Sequence, residues 1–162
     1  MSNHNLFTFG ANGAYEIAST EQIFAAARKA LAHRVRRGAS LDSPRLVRDY
    51  LAARLGHLEH EIFGVILLNQ RHKVIKCVEL FRGTIDGASV YPREVVKLAL
   101  QEGAAACVLF HNHPSGVKDQ SNADEAITET LKAALALISV RVLDHLIIAA
   151  DKMLSFSERG LI

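Results

Sequence analysis

Cysteine is scarce. The 162 residues contain two, Cys77 and Cys107, both inside apolar runs. That excludes a disulfide scaffold and suits a reducing, cytoplasmic setting. No apolar run approaches the roughly 20 residues that a membrane-spanning helix needs, so no spanning segment is expected. Met1 to Gly10 has no basic start leading into an apolar stretch and is not read as a secretory leader. There is no internal repeat, no low-complexity tract and little net charge, +2 in all. What remains is 49% hydrophobic and 22% charged, the balance of a soluble globular chain with the length of one ordinary domain.

The small net charge hides an asymmetry. Lys and Arg outnumber Asp and Glu eight to four in residues 1–56, and trail eleven to thirteen in residues 57–162. The excess gathers at Arg28, Lys29, Arg34, Arg36 and Arg37. Such a cluster is either an electrostatic footprint for nucleic acid or a solvated helix end, where cations complement the dipole.

Residues 1–18 show no periodicity and read as a loose arm. A helix is expected over Thr20–Arg36, opened by a Ser19/Gln22 capping box and closed by Gly38. A second starts at Ser43-Pro44 and stops at Gly56, with Leu46, Val47, Tyr50, Leu51 and Leu55 as its apolar stripe. Ile62–Leu68 reads as a buried strand with Val74–Leu80 as its hairpin partner, followed by a helix over Pro92–Glu102 that Gly103 ends. Ala104–Phe110 is another buried strand, and a long helix follows over Ser121–Leu137. Three short strands, Val140–Leu143, Leu146–Ala150 and Leu154–Phe156, are joined at Asp144-His145 and Asp151-Lys152. The order ααββαβαβββ gives an α/β fold, a mixed β-sheet with flanking helices, and divides into a 1–56 arm and helical segment and a 57–162 domain.

The unusual stretch is His111-Asn112-His113-Pro114-Ser115-Gly116. Residues two apart in an extended segment point the same way, so both imidazoles can meet at one point, at the strand end where α/β sheets place functional loops. Asp124, in the first turn of the next helix, can return its carboxylate to that point. Two imidazoles and a carboxylate leave a fourth position for water, the arrangement of a catalytic zinc. Ser121 and Asp124 also satisfy a helix-capping spacing without any metal, and both readings stand at this point.

His111-Asn112-His113, seven residues, Ser121, two residues and Asp124 resemble the JAMM signature of JAB/MPN metallopeptidase domains. The string His-Asn-His-Pro-Ser-Gly is similar to the RadC family in particular. Phe81-Arg82-Gly83-Thr84, Tyr91-Pro92-Arg93-Glu94-Val95, and Asp144-His145 with Ser155-Phe156-Ser157-Glu158 extend the likeness over residues 57–162. The resemblance implies a JAB/MPN (cytidine deaminase-like) domain preceded by two N-terminal helices. Residues 1–56 show no Gly-rich helix-hairpin-helix region, so the chain is similar to the short forms that lack it. The family pattern implies Zn2+ held by His111, His113 and Asp124. It implies a proton-shuttling glutamate at Glu61, with Glu59 of the same strand parity as the competitor, and Ser121 as the donor to a developing oxyanion.

Two functions follow. One is a zinc-dependent hydrolase, a metallopeptidase or isopeptidase acting on a peptide or protein substrate. The other is a DNA-associated accessory of repair or mobile elements, in which the site is vestigial or serves another hydrolysis. A pure scaffold is disfavoured because all the ligand positions are filled. A nucleobase deaminase is disfavoured because its signature pairs His-x-Glu with Cys-x-x-Cys, and no Cys-x-x-Cys is present.

Overall fold

The computed structural model describes residues 5–11, 13–40, 44–83, 89–150 and 152–162. The elements run β1 (Phe7–Phe9), β2 (Tyr15–Ile17), α1 (Thr20–Arg34), α2 (Pro44–Leu55), β3 (Ile62–Leu68), β4 (Val74–Arg82), α3 (Pro92–Glu102), β5 (Ala106–Asn112), α4 (Asn122–Ala136), β6 (Arg141–Ala149) and β7 (Lys152–Ser155). Five strands form one mixed sheet in the order β4-β3-β5-β6-β7, in which only the β5–β6 pair is parallel. A parallel pair needs a crossover, and α4 supplies it. Among the described residues, no helix is long and apolar enough to cross a membrane.

All seven residues of β3 and all seven of β5 are buried, because helices cover both faces of the sheet centre. One face meets α2: Ile62, Ile66, Leu68, Val108, Phe110 and Ile148 pack with Val47, Tyr50, Leu51 and Leu55. The other carries Phe63, Val65, Leu67, Cys107 and Leu109 against Val95 and Ala99 of α3 and Leu131 and Leu135 of α4.

The loose arm expected at residues 1–18 is instead partly a hairpin, with Phe7 opposite Ile17 and Phe9 opposite Tyr15. Gly10 donates to the Ala14 carbonyl and Gly13, at φ +78°, donates to the Gly10 carbonyl, closing the turn. Alternation over three residues a side is too short a signal to stand out in sequence. The Ser19/Gln22 capping box forms as expected, with Gln22 N–H donating to Ser19 Oγ at 3.2 Å and Ser19 N–H donating to Gln22 Oε1 at 2.8 Å. Ser43, the expected cap of α2, lies outside the described residues, as do Thr84 and Asp151.

Two strand expectations are corrected. β5 begins and ends two residues later than expected and therefore includes His111 and Asn112. The separate strands expected on either side of Asp144-His145 are one continuous β6, which runs through that pair. Its register shifts between Cys107 and Val108, which pair with Val142 and Asp144, so Leu143 is an extra residue. The bulge changes the phase of alternation, and His145, opposite Leu109, falls on the α3/α4 face beside His111.

Candidate metal centre

β5 delivers His111 at the end of the central strand, its backbone paired with Phe63 on one side and Ile147 on the other. His113 is the first residue beyond the strand, and its N–H still donates to the Ile148 carbonyl at 2.8 Å. The chain then turns, with Gly116 at φ +76° donating to the His113 carbonyl. Ser121 caps α4, whose first turn returns Asp124 to the histidines.

His111, His113 and Asp124 form a group that could hold a metal ion, with one ligand atom from each lying within 4.8 Å of the others. His111 Nε2 is 2.9 Å from His113 Nε2 and 3.1 Å from Asp124 Oδ1, and His113 Nε2 is 3.6 Å from Asp124 Oδ2. Zinc–nitrogen bonds of about 2.0–2.1 Å at tetrahedral angles require donor–donor edges of roughly 3.3 Å. The observed distances, taken to both carboxylate oxygens of Asp124, lie on either side of that length. The His113 Nδ1–H donates to the Val117 carbonyl at 2.7 Å, because a carbonyl can only accept. For a neutral ring this leaves the Nε2 lone pair facing the centre, as a metal ligand requires.

The capping geometry, one of the two readings open in the sequence, is present and leaves room for the other. Asp124 Oδ2 accepts from Ser121 N–H and from Ser121 Oγ, each at 2.7 Å, while Asp124 N–H donates to Ser121 Oγ at 3.2 Å. Oδ1 remains directed at His111. Burial opposes ionisation of Asp124, but the imidazoles of His111 and His113 beside it and the Ser121 backbone N–H outweigh it and hold the carboxyl well below the usual range. The His113 pKa is raised, chiefly by the Asp124 carboxylate beside it, against burial, with the Val117 carbonyl and the charge of Glu61 adding to it.

Glu61 stands immediately before β3, half-buried, with its carbonyl accepting from Gly83 N–H at 2.8 Å. Its charge is felt at His113, whereas Glu59 is exposed. The residue between the histidines has a task that sequence reasoning did not find. Asn112 Oδ1 accepts from Ile62 N–H at 2.8 Å and its Nδ2 donates to the His60 carbonyl at 3.0 Å. The buried amide thus clamps the backbone on both sides of Glu61 from within the His-x-His segment.

His145, which the sequence marks only as part of a joint between strands, is fully buried at 0% exposure and touches His111: His145 Nε2 is 2.8 Å from His111 Nδ1. Its Nδ1 lies 2.6 Å from Thr128 Oγ1, and the Thr128 hydroxyl also bonds the Asp124 carbonyl. Burial pushes the His145 pKa well down. The neighbouring Asp144 accepts from His145 N–H, Ser157 N–H and Ser155 Oγ, tying down the turn that packs Phe156 over the His145 ring at 4.8 Å. Ser155 to Glu158 therefore serve this site from a distance in the chain. Cys107 is fully buried in the layer beneath, its thiol pushed up to about 12 by burial alone, and packs as a small hydrophobe.

The fold and the donor set together define a class: an α/β domain with a candidate His–His–Asp metal centre at the end of its central strand. The chain belongs to the RadC-like JAB domain family, whose model matches residues 41–161. It is 53% identical over 148 residues to a UPF0758 protein of Stutzerimonas stutzeri, covering 91% of this chain and 66% of that one. It is 52% identical over 147 residues to a UPF0758 protein of Methylibium petroleiphilum, covering 91% and 65%. The chain thus spans just under two thirds of the length of these relatives. Of the two helices expected ahead of the domain, only α1 precedes the matched residues. α2 lies within them, since its Val47, Tyr50, Leu51 and Leu55 are part of the core that backs the sheet.

Proposed function

We propose that the chain is a zinc-dependent hydrolase of the JAMM type, cleaving a peptide or isopeptide bond. The observation that carries this reading is the convergence of His111, His113 and Asp124 at the sheet end, one ligand atom of each within 4.8 Å of the others, with Glu61 near enough for its charge to act on His113. His111, His113 and Asp124 would hold the ion. Zinc in such a site supplies a water of pKa near 7 and polarises a carbonyl. Glu61 takes the proton from the attacking water and returns it to the leaving amine. The clamp from Asn112 and the Gly83–Glu61 hydrogen bond keep its backbone fixed while it does so. Ser121 has one hydroxyl proton, directed here at Asp124 Oδ2, so stabilising an oxyanion requires that hydroxyl to swing to the substrate. Two free thiols suit the reducing cytoplasm as the place of action.

The test compares two near-isosteric variants for zinc content and for cleavage of a mixed pool of peptides and ε-linked lysine isopeptides. Glu61→Gln keeps zinc and loses about 10²–10⁴-fold in rate, roughly 3–5 kcal/mol of barrier. Asp124→Asn loses the ion itself, because it removes the only anionic ligand. Native-rate cleavage by Glu61→Gln transfers the base to Glu59 or overturns the mechanism.

A second reading has its own observation. His33, Arg34, Arg36 and Arg37 are all exposed and surround one hollow at the end of α1, a surface suited to nucleic-acid phosphates. This favours a DNA-associated accessory role for the residues ahead of the matched region.

A further inference from the structure

We infer that His145, backed by Thr128, is a positioning residue for His111: it holds the proton on His111 Nδ1 and so presents the Nε2 lone pair to the metal. The inference rests on the reading of the metal centre given above and adds to it the group that sets the ligand's tautomer.

The direction of every hydrogen bond in the chain follows from one end. The Asp124 carbonyl has no proton, so the Thr128 hydroxyl donates to it, the back-bond one turn earlier that threonine makes within a helix. That commits the only hydroxyl proton, and Thr128 Oγ1 must accept from His145 Nδ1 at 2.6 Å. A neutral His145 with its proton on Nδ1 has a bare Nε2, and 2.8 Å away His111 Nδ1 must donate to it. His111 Nε2 is then bare as well, and it points at His113 Nε2 and Asp124 Oδ1. Every bond of the relay then has one donor and one acceptor, and three acceptors, His111 Nε2, His113 Nε2 and Asp124 Oδ1, are left facing one another, as a cation between them requires.

The surroundings hold this order in place. Phe63 lies edge-on to His145 at 5.5 Å, Phe156 covers it at 4.8 Å, and the ring has no exposed surface. No water reaches it to offer a competing bond. Phe63 also stacks on His111 at 6.1 Å and 14°, restraining that ring from the other side. The relay is closed in space, since it starts at the backbone carbonyl of Asp124 and ends beside the carboxylate of the same residue. α4, β5 and β6 are thereby locked in the register that the three ligands need.

The test has two parts on the full chain. Nitrogen-15 NMR of the histidine side chains in zinc-free wild-type protein is expected to show His111 and His145 both protonated on Nδ1. Zinc affinity, read by chelator competition with circular dichroism as the check on folding, is expected to fall about 10–100-fold in His145→Leu. His145→Gln, whose amide oxygen can accept from His111 Nδ1, recovers most of that loss. Thr128→Val, which frees His145 to change tautomer while leaving the core filled, gives a smaller loss and a mixed His111 signal. An Nε2-protonated His111 in the wild type overturns the inference, as do equal losses in the Leu and Gln variants or unchanged affinity in a folded His145→Leu. If His145→Leu does not fold, the wild-type tautomer and the Thr128→Val signal decide in its place. Zinc bound with the wrong tautomer refutes the positioning role alone. The right tautomer with no zinc bound refutes the metal reading and leaves the relay standing.

Discussion

Gly64 lies in β3 between the core and the candidate site, and replacing it with alanine is the most telling test of how tightly that region is built. A Cβ at Gly64 would stand 2.3 Å from Phe110 Cζ, 2.5 Å from Phe110 Cε2 and 2.5 Å from the Val78 carbonyl oxygen. Carbon contacts are at their best near 3.5–4.0 Å, so about 1 Å of movement is needed in two directions at once. Neither direction is free. The Phe110 ring is 0% exposed in the core, and the Val78 carbonyl belongs to β4, which is paired with β3. Overpacking of this kind costs about 1–3 kcal/mol, and a backbone contact puts Gly64→Ala at the upper end. For a chain of this size that is a fall in Tm of about 5–10 °C. The sequence has no Trp and three Tyr, so the helical circular dichroism signal is the appropriate probe. Zinc affinity should fall as well, because the adjacent Phe63 stacks on His111. Phe110→Leu in the same background removes the clashing ring atoms but not the Val78 contact. A double-mutant cycle should therefore show a favourable coupling of about 1 kcal/mol or more. Stability within about 0.5 kcal/mol of the wild type for Gly64→Ala, or zero coupling, refutes the reasoning.

Other outcomes follow from the same geometry. His113→Ala should reduce zinc from about one ion per chain to none by elemental analysis, and stoichiometric zinc in that variant would remove His113 from the ligand set. Ser121→Ala should cost about 1 kcal/mol in denaturant unfolding through the lost cap, and should weaken zinc because Asp124 loses its anchor; a loss of stability with zinc affinity unchanged would separate the two tasks. The Cys107 thiol, raised by burial from 9.0 to about 12, should resist alkylation at pH 8 until the chain is unfolded. Since the unfolded thiol ionises first, its contribution to stability is present below pH 9 and is lost as pH rises toward 12. Rapid native labelling of Cys107 would contradict that burial. If Arg34, Arg36 and Arg37 meet phosphates, duplex DNA binding should fall steeply with salt, and no binding even at low salt disposes of the accessory reading.

Much of the fold was legible because its signals are local. The Ser19 and Ser121 capping boxes, Pro92 opening α3, Gly103 closing it and the unbroken apolar run of Ile62–Leu68 each depend on residues within a few positions of one another. The candidate ligands His111, His113 and Asp124 were legible for the same reason, since one strand end, one turn and one helix start bring them together. The β1–β2 hairpin was missed because its alternation lasts three residues a side. Asn112 was visible only as the filler of His-x-His, because its partners His60 and Ile62 are fifty residues away in the chain.

By itself, then, the amino-acid sequence determined where helices such as α1, α3 and α4 begin, which strands are buried and which three side chains come near a common point, all through spacing within one element or between two consecutive ones. Only the tertiary structure decided what stands behind those side chains. Asp144-His145 has the polarity of a break between strands, and a bulge at Leu143 keeps it inside β6 while switching its phase. That one extra residue turns His145 toward His111 instead of the α2 face. No local pattern encodes it, because the phase is settled by pairing with β5, an element more than thirty residues away, and by the Asp144 ties to Ser155 and Ser157 that satisfy a half-buried carboxylate beside a buried His145 in mid-strand.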